Sequence, residues 1–116
     1  TAQERLFKVI LPEALNHHPG QFVMAGLPGI GECAISISNS PQSSKLLEMV
    51  IRKVGNVSGV LHQLKESDEI SIRGPFGTGF NLDDFKYQDI VIIAGGLGIV
   101  PLRSLILPIM QHKSDY

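Results

Sequence analysis

Asp89-Ile90-Val91-Ile92-Ile93-Ala94-Gly95-Gly96-Leu97-Gly98-Ile99-Val100-Pro101 is the stretch on which the architecture turns. The unbroken apolar run 90–94 predicts a strand buried on both faces, as in a parallel sheet. Gly95–Pro101 predicts a glycine-rich turn, and the apolar segment after it predicts a helix to about Gln111. Strand, turn and helix make the first half of a βαβ unit. No second strand follows before Tyr116. A domain boundary near Tyr87 is therefore expected, with 88–116 as the start of an incomplete α/β domain.

Upstream the pattern is different. Arg5–Leu11, Gln21–Leu27, Ala34–Ser38, Leu46–Val54 and Glu69–Arg73 read as strands, rich in β-branched and apolar residues or alternating in polarity. Pro and Gly punctuate them at Pro12, Asn16–Gly20, Pro28–Gly31 and Gly74-Pro75. Asn39–Ser44 reads as a polar turn and Phe76–Lys86 as a loop. One segment breaks the alternation: Asn56–Lys65 places Val57, Val60, Leu61 and Leu64 at helical spacing. Residues 1–87 thus read as a mainly β domain with one short helix.

The totals fit. The 116 residues are 43% hydrophobic and 18% charged, a globular balance. Ten basic and eleven acidic side chains give a net charge of −1, which offers nucleic acid or anionic lipid no broad attraction. Cys33 is the single cysteine, so an internal disulfide or a cysteine-bound cluster is excluded and a reducing cytoplasm is the expected compartment. No apolar run spans a bilayer, so membrane insertion is not expected. A strand begins almost at Thr1 and Tyr116 trails a helix, so both ends read as cut, with an N-terminal strand missing.

Three segments carry chemistry. Gly95–Pro101 lets backbone amides approach an anion at a helix start. It matches G-x-G-x-x-G except that Pro101 stands at the third glycine, where a first helical turn accepts it. A tight connection without ligand explains the turn equally well. Gly55-Asn56-Val57-Ser58 opens the short helix and suits either pyrophosphate or a simple helix cap. Ala34–Ser38 offers an apolar wall and hydroxyls to a flat ring, or is an ordinary strand. Elsewhere, adjacent His17 and His18 read as a solvated turn, His62 as a surface or rim residue, Asp83 and Asp84 as solvated carboxylates, and Phe76 and Phe80 as packing.

In order, AISISNSP (34–41), IRKVGNVSGVLHQL (51–64), IRGPFGTGF (72–80) and VIIAGGLGIVPLRSL (91–105) resemble the ferredoxin–NADP reductase superfamily. Within it the chain is similar to electron-transfer, gamma-type subunits of hydrogenase/sulfur reductases and of dihydroorotate dehydrogenase. The resemblance implies an antiparallel Greek-key FAD-binding barrel followed by a nicotinamide domain. The family's R-x-Y-S/T motif falls on Cys33-Ala34-Ile35-Ser36. Ser36 would hydrogen-bond near flavin N5, Ile35 would replace the tyrosine as packing surface, and Cys33 replaces the pyrophosphate-pairing arginine. The G-x-x-S/T motif falls on Gly55, Asn56, Val57 and Ser58 and implies pyrophosphate binding, with Ser58 as an added donor. Ile51, Arg52 and Lys53 would line the rest of the FAD, Arg52 or Lys53 restoring positive charge. Gly96, Gly98 and Pro101 match the nicotinamide-side turn. The implied function is electron transfer between NAD(P)H and an iron–sulfur or other redox partner subunit through FAD, without general base, covalent nucleophile or bound metal. The competing reading is a flavin-free β-barrel scaffold or subunit-docking module, which the missing arginine and tyrosine favour.

Overall fold

Alternation decides which way each strand faces, and β4 (Leu46–Arg52) shows it most clearly. In the computed structural model, which describes residues 1–41 and 44–116, Leu47, Met49 and Ile51 are buried while Leu46, Glu48 and Val50 lie on the opposite, half-buried face. β4 pairs antiparallel with β1 (Glu4–Ile10), Phe7 lying opposite Met49. The central strand of a second sheet is β2 (Phe22–Leu27), with β3 (Gly31–Ser36) on one side and β5 (Ser71–Phe76) on the other, all antiparallel.

The two sheets share one core. Phe7, Leu47, Met49 and Ile51 meet Val23 and Ala25 of the other sheet, with Ile37 and Leu61 closing the gap. The chain crosses between sheets just after β3. Ile37 still donates its N–H to Gln21 (3.2 Å), whereas Ser38 donates to Glu48 of β4 (2.9 Å). The fold is therefore mainly β, as expected. Its hydrogen-bonded ladders form a two-stranded and a three-stranded sheet among the described residues. The outer edges of β1 and β5 are both unpaired there.

The expected elements shift in instructive ways. β5 runs through Gly74-Pro75 rather than stopping there. An unpaired edge needs no N–H from Pro75, and Gly74 takes φ +140° with Val23 Cα and Phe22 O each 3.3 Å from where a Cβ would be. The register with β2 slips at this point. The helix α1 covers Asn56–Leu61, and Gln63 and Leu64 continue it only through tighter three-residue bonds to Val60 and Leu61. The Asn39–Ser44 turn includes Gln42 and Ser43, which lie outside the described residues.

The run 90–94 does not form a strand. Val91 and Ile93 are 83% and 88% exposed, and no ladder reaches them among the described residues. A strand exists only as one member of a pair, and an apolar run meant for a sheet interior has nothing here to pair with. The glycine turn and helix form nonetheless, because a helix satisfies its own hydrogen bonds. Gly96–Gly98 is a single 3-10 turn, leading into α2 (Ile99–Gln111) with Pro101 in its first turn. No described helix is long and apolar enough to cross a membrane.

His17 overturns the solvated-turn expectation. It is 5% exposed, and its Nε2 lies 3.0 Å from the Asn39 carbonyl and 3.3 Å from Ser104 Oγ of α2. Nε2 therefore carries the proton and donates to both oxygens. His18 stays exposed. Burial holds the His17 pKa below its ordinary 6.5, against the opposing pull of the Asn39 carbonyl. The unfolded chain then binds the extra proton first as pH falls, so stability drops with pH below about 6.5. Urea midpoints measured from pH 8 to pH 5 should fall in that window. His17→Gln, which cannot take up the proton, should flatten the slope; an unchanged slope would remove His17 as its source.

Candidate functional site

Two of the segments singled out above converge, with one residue of β4 between them. Ala34, Ile35 and Ser36 of β3, Val50 of β4, and Leu97, Val100 and Pro101 at the start of α2 line one cavity of about 190 Å³. The strand supplies one wall and the helix start the other. Ser38 and Ser58 spend their hydroxyls on backbone groups, but Ser36 Oγ makes no hydrogen bond among the described residues. A half-buried hydroxyl with no protein partner, between apolar walls, suits a flat ring that needs one polar contact.

The same period of two sets Ile51 and Val50 on opposite faces of β4. Ile51 is fully buried in the core, and its carbonyl accepts the Nε2–H of His62 at 2.7 Å. Its side chain does not reach the cavity. Val50, one residue earlier on the other face, does. Adjacent strand residues point apart, so Val50 reaches the cavity where Ile51 does not.

Gly55, Asn56 and Val57 open α1 as expected, and Ser58 is 5% exposed beneath them. Ser58 Oγ accepts the N–H groups of Val54 and Gly55, each at 2.9 Å, and donates to the Gly55 carbonyl at 3.3 Å. The hydroxyl has no donor left for an outside anion. It shapes the helix start.

The positive charges divide unequally. Arg52 is tied to Glu4 on β1, with Nη2 2.6 Å and Nε 2.9 Å from one carboxylate oxygen. Glu4 thus offsets the charge that Arg52 would offer in place of the arginine absent at Cys33. Arg73 is bound to Glu32. That bond also holds the Glu32 carboxyl below its usual range. Lys53 is exposed, has no carboxylate partner among the described residues, and lays its stem along Gly59 of α1. Of the two candidates for restored charge, only Lys53 is free. Cys33 packs against the core, and burial pushes its thiol pKa up, so it is no thiolate nucleophile. Gly96 and Gly98 lie in the turn beside the cavity without lining it. No group of His, Cys, Asp and Glu suited to a metal occurs among the described residues.

Comparison with known proteins gives the family. Residues 1–80 match the model of the oxidoreductase FAD-binding domain. The sulfhydrogenase 1 gamma subunit of Pyrococcus furiosus is 44% identical over 106 residues, covering 91% of this chain and 36% of the relative. The probable dihydroorotate dehydrogenase B (NAD(+)) electron transfer subunit of the same organism is 43% identical over 95 residues, covering 82% and 35%. Among solved structures, an Amycolatopsis cytochrome P450 reductase superposes with a TM-score of 0.82 at 28% identity, covering 98% of this chain and 37% of that one. The chain belongs to the FAD-binding oxidoreductase domain family of the ferredoxin–NADP reductase-like superfamily. FAD is the cofactor of that family, and the chain spans little more than a third of the relatives it matches.

Proposed function

We propose that this chain is the flavin-holding part of an electron-transfer subunit that passes electrons between NAD(P)H and a redox partner subunit. The observation that carries the reading is the shared cavity, because it brings β3 and the glycine-turn helix to the two sides of one slot. The domain division near Tyr87 belongs to the same reading: residues 1–87 hold the flavin and 88–116 begin the nicotinamide side. The partner is an iron–sulfur or other one-electron carrier, and the setting is the cytoplasm.

When bound, FAD supplies the hydride and single-electron chemistry. The chain's own residues do the placing. Ile35 and Val50 form one apolar wall, and Val100 and Pro101 form the opposing one, which excludes water. Ser36 Oγ offers a hydrogen bond near the flavin N5 position. The first-turn amides of Asn56, Val57 and Ser58, with Lys53 beside them, face the pyrophosphate. Gly96, Gly98 and Pro101 present the turn toward the nicotinamide.

Titrating purified protein with FAD tests this. The expected result is a flavin absorbance band that shifts and saturates on binding, with little NADH oxidation by the chain alone, since 90–94 has no sheet to join. Protein that gains no flavin signal would instead favour a flavin-free scaffold or docking module. The specific support for that second reading is that Cys33 stands where the arginine would be and that Glu4 and Glu32 offset the charges of Arg52 and Arg73.

A further inference from the structure

One turn beyond Pro101, α2 is fastened to the β sheets by two consecutive polar residues. Arg103 Nη1 donates to the Ser38 carbonyl at 3.0 Å and to Glu48 Oε2 at 2.8 Å. Ser104, fully buried, accepts from His17 Nε2 at 3.3 Å. The His17 ring in turn donates to Asn39, next along the crossing segment from Ser38. The Arg103 contacts fall on Ser38, just after Ser36, and on β4, while His17 bridges Ser104 to Asn39 from the segment between β1 and β2. Val100 and Pro101 lie three residues N-terminal to Arg103 and Ser104, on the same helix. The fastening and the cavity wall are thus one rigid unit.

We infer that Arg103, with Glu48 and Ser38, is a positioning clamp that sets the width of the cavity between β3 and the α2 start, and so fixes how a flavin ring is held there. This rests on the flavin reading above. The physical argument is leverage. Apolar contact alone lets a helix slide over a sheet, whereas a guanidinium shared between a carbonyl and a carboxylate fixes it in register. Glu48 is the neighbour of Val50 on the same half-buried face of β4, so the clamp and one cavity wall share a strand face. Neither Arg103 nor Glu48 lines the cavity. Their effect on a bound ring passes through Val100, Pro101 and Val50.

The test is FAD titration of the full chain and of Arg103→Met and Arg103→Lys, read by visible circular dichroism of the flavin as well as by affinity. The wild type should give a saturating signal. Arg103→Met should bind FAD about tenfold more weakly and with an altered visible dichroism band, because a displaced wall changes the ring's asymmetric surroundings. Arg103→Lys, which can still reach Glu48, should restore the band. Should Arg103→Met fail to fold by far-ultraviolet dichroism, Glu48→Gln takes its place, with a weaker effect in the same direction. If the folded variant has a wild-type band and affinity and only a lower melting temperature, the clamp is structural and the inference is wrong. If the wild type itself binds no FAD, the flavin reading fails and takes the inference with it, an outcome distinct from the first.

Discussion

Gly26→Ala is expected to cost about 3 kcal/mol of stability or more, enough to unfold much of the population of so small a domain. Gly26 sits in β2 opposite Glu32 of β3. A Cβ there would strike the Gly31 carbonyl oxygen and lie 2.7 Å from Glu32 Cα and 2.8 Å from Glu32 Cβ. Two of those three atoms are backbone of the paired strand, so no rotamer change relieves the clash and the hairpin must open. The strand pushed away is the one that carries Ala34, Ile35 and Ser36. Any surviving folded protein should therefore also lose FAD binding. Gly59→Ala is the control. It lies inside α1, where an added Cβ meets only Lys53 Cε at 3.9 Å. That change should raise stability by roughly 0.5–1 kcal/mol, the helix-interior difference between the two residues. Urea unfolding of both variants decides it. A Gly26→Ala midpoint near wild type would mean that the hairpin yields far more easily than close-packed backbone should.

The sequence carries the strands more securely than their limits. β1, β2 and β4 fall within a residue or two of where alternation and β-branched residues put them, because a strand with one buried face must keep its period. β5 was legible as a strand but not past Gly74-Pro75, since nothing local says that its outer edge is unpaired and can carry a proline. The run 90–94 shows the opposite limit. Its composition speaks of a sheet interior, but pairing depends on strands contributed from elsewhere, which no local pattern encodes. The cavity was half legible. Ser36 and Pro101 could be named from motifs, whereas Val50 appears only once the strand face is known. His17 was missed because a His-His-Pro-Gly turn looks solvated. Its burial comes from a helix almost ninety residues away, and the only local hint was that Pro19 and Gly20 turn the chain sharply there. Arg103 and Ser104 gave no signal beyond a polar pair in an apolar helix.

Ser58→Ala should weaken both the fold and the cofactor site, and the way the two losses combine separates two roles for the hydroxyl. Ser58 Oγ is the acceptor for two backbone N–H groups, those of Val54 and Gly55. Removing it strands both donors at the junction of β4 and α1, for a loss of about 2 kcal/mol. The helix start then frays, and the first-turn amides lose the common orientation that an anion needs. FAD affinity should fall about tenfold as a consequence. A hydroxyl that touched the pyrophosphate directly would behave differently: its removal would lower FAD affinity while leaving the apo protein nearly as stable. The buried placement of Ser58, and its donation to the Gly55 carbonyl, argue for the first role. Ser58→Thr keeps the oxygen and adds one methyl to a tightly enclosed site, so it should fall between wild type and Ser58→Ala in both measurements. Urea unfolding of the apo protein, set beside FAD titration of the same three proteins, reads the distinction. Affinity and stability that fall together across the series are expected from a hydroxyl that builds the site, and affinity that falls alone would return Ser58 to the cofactor's first contacts.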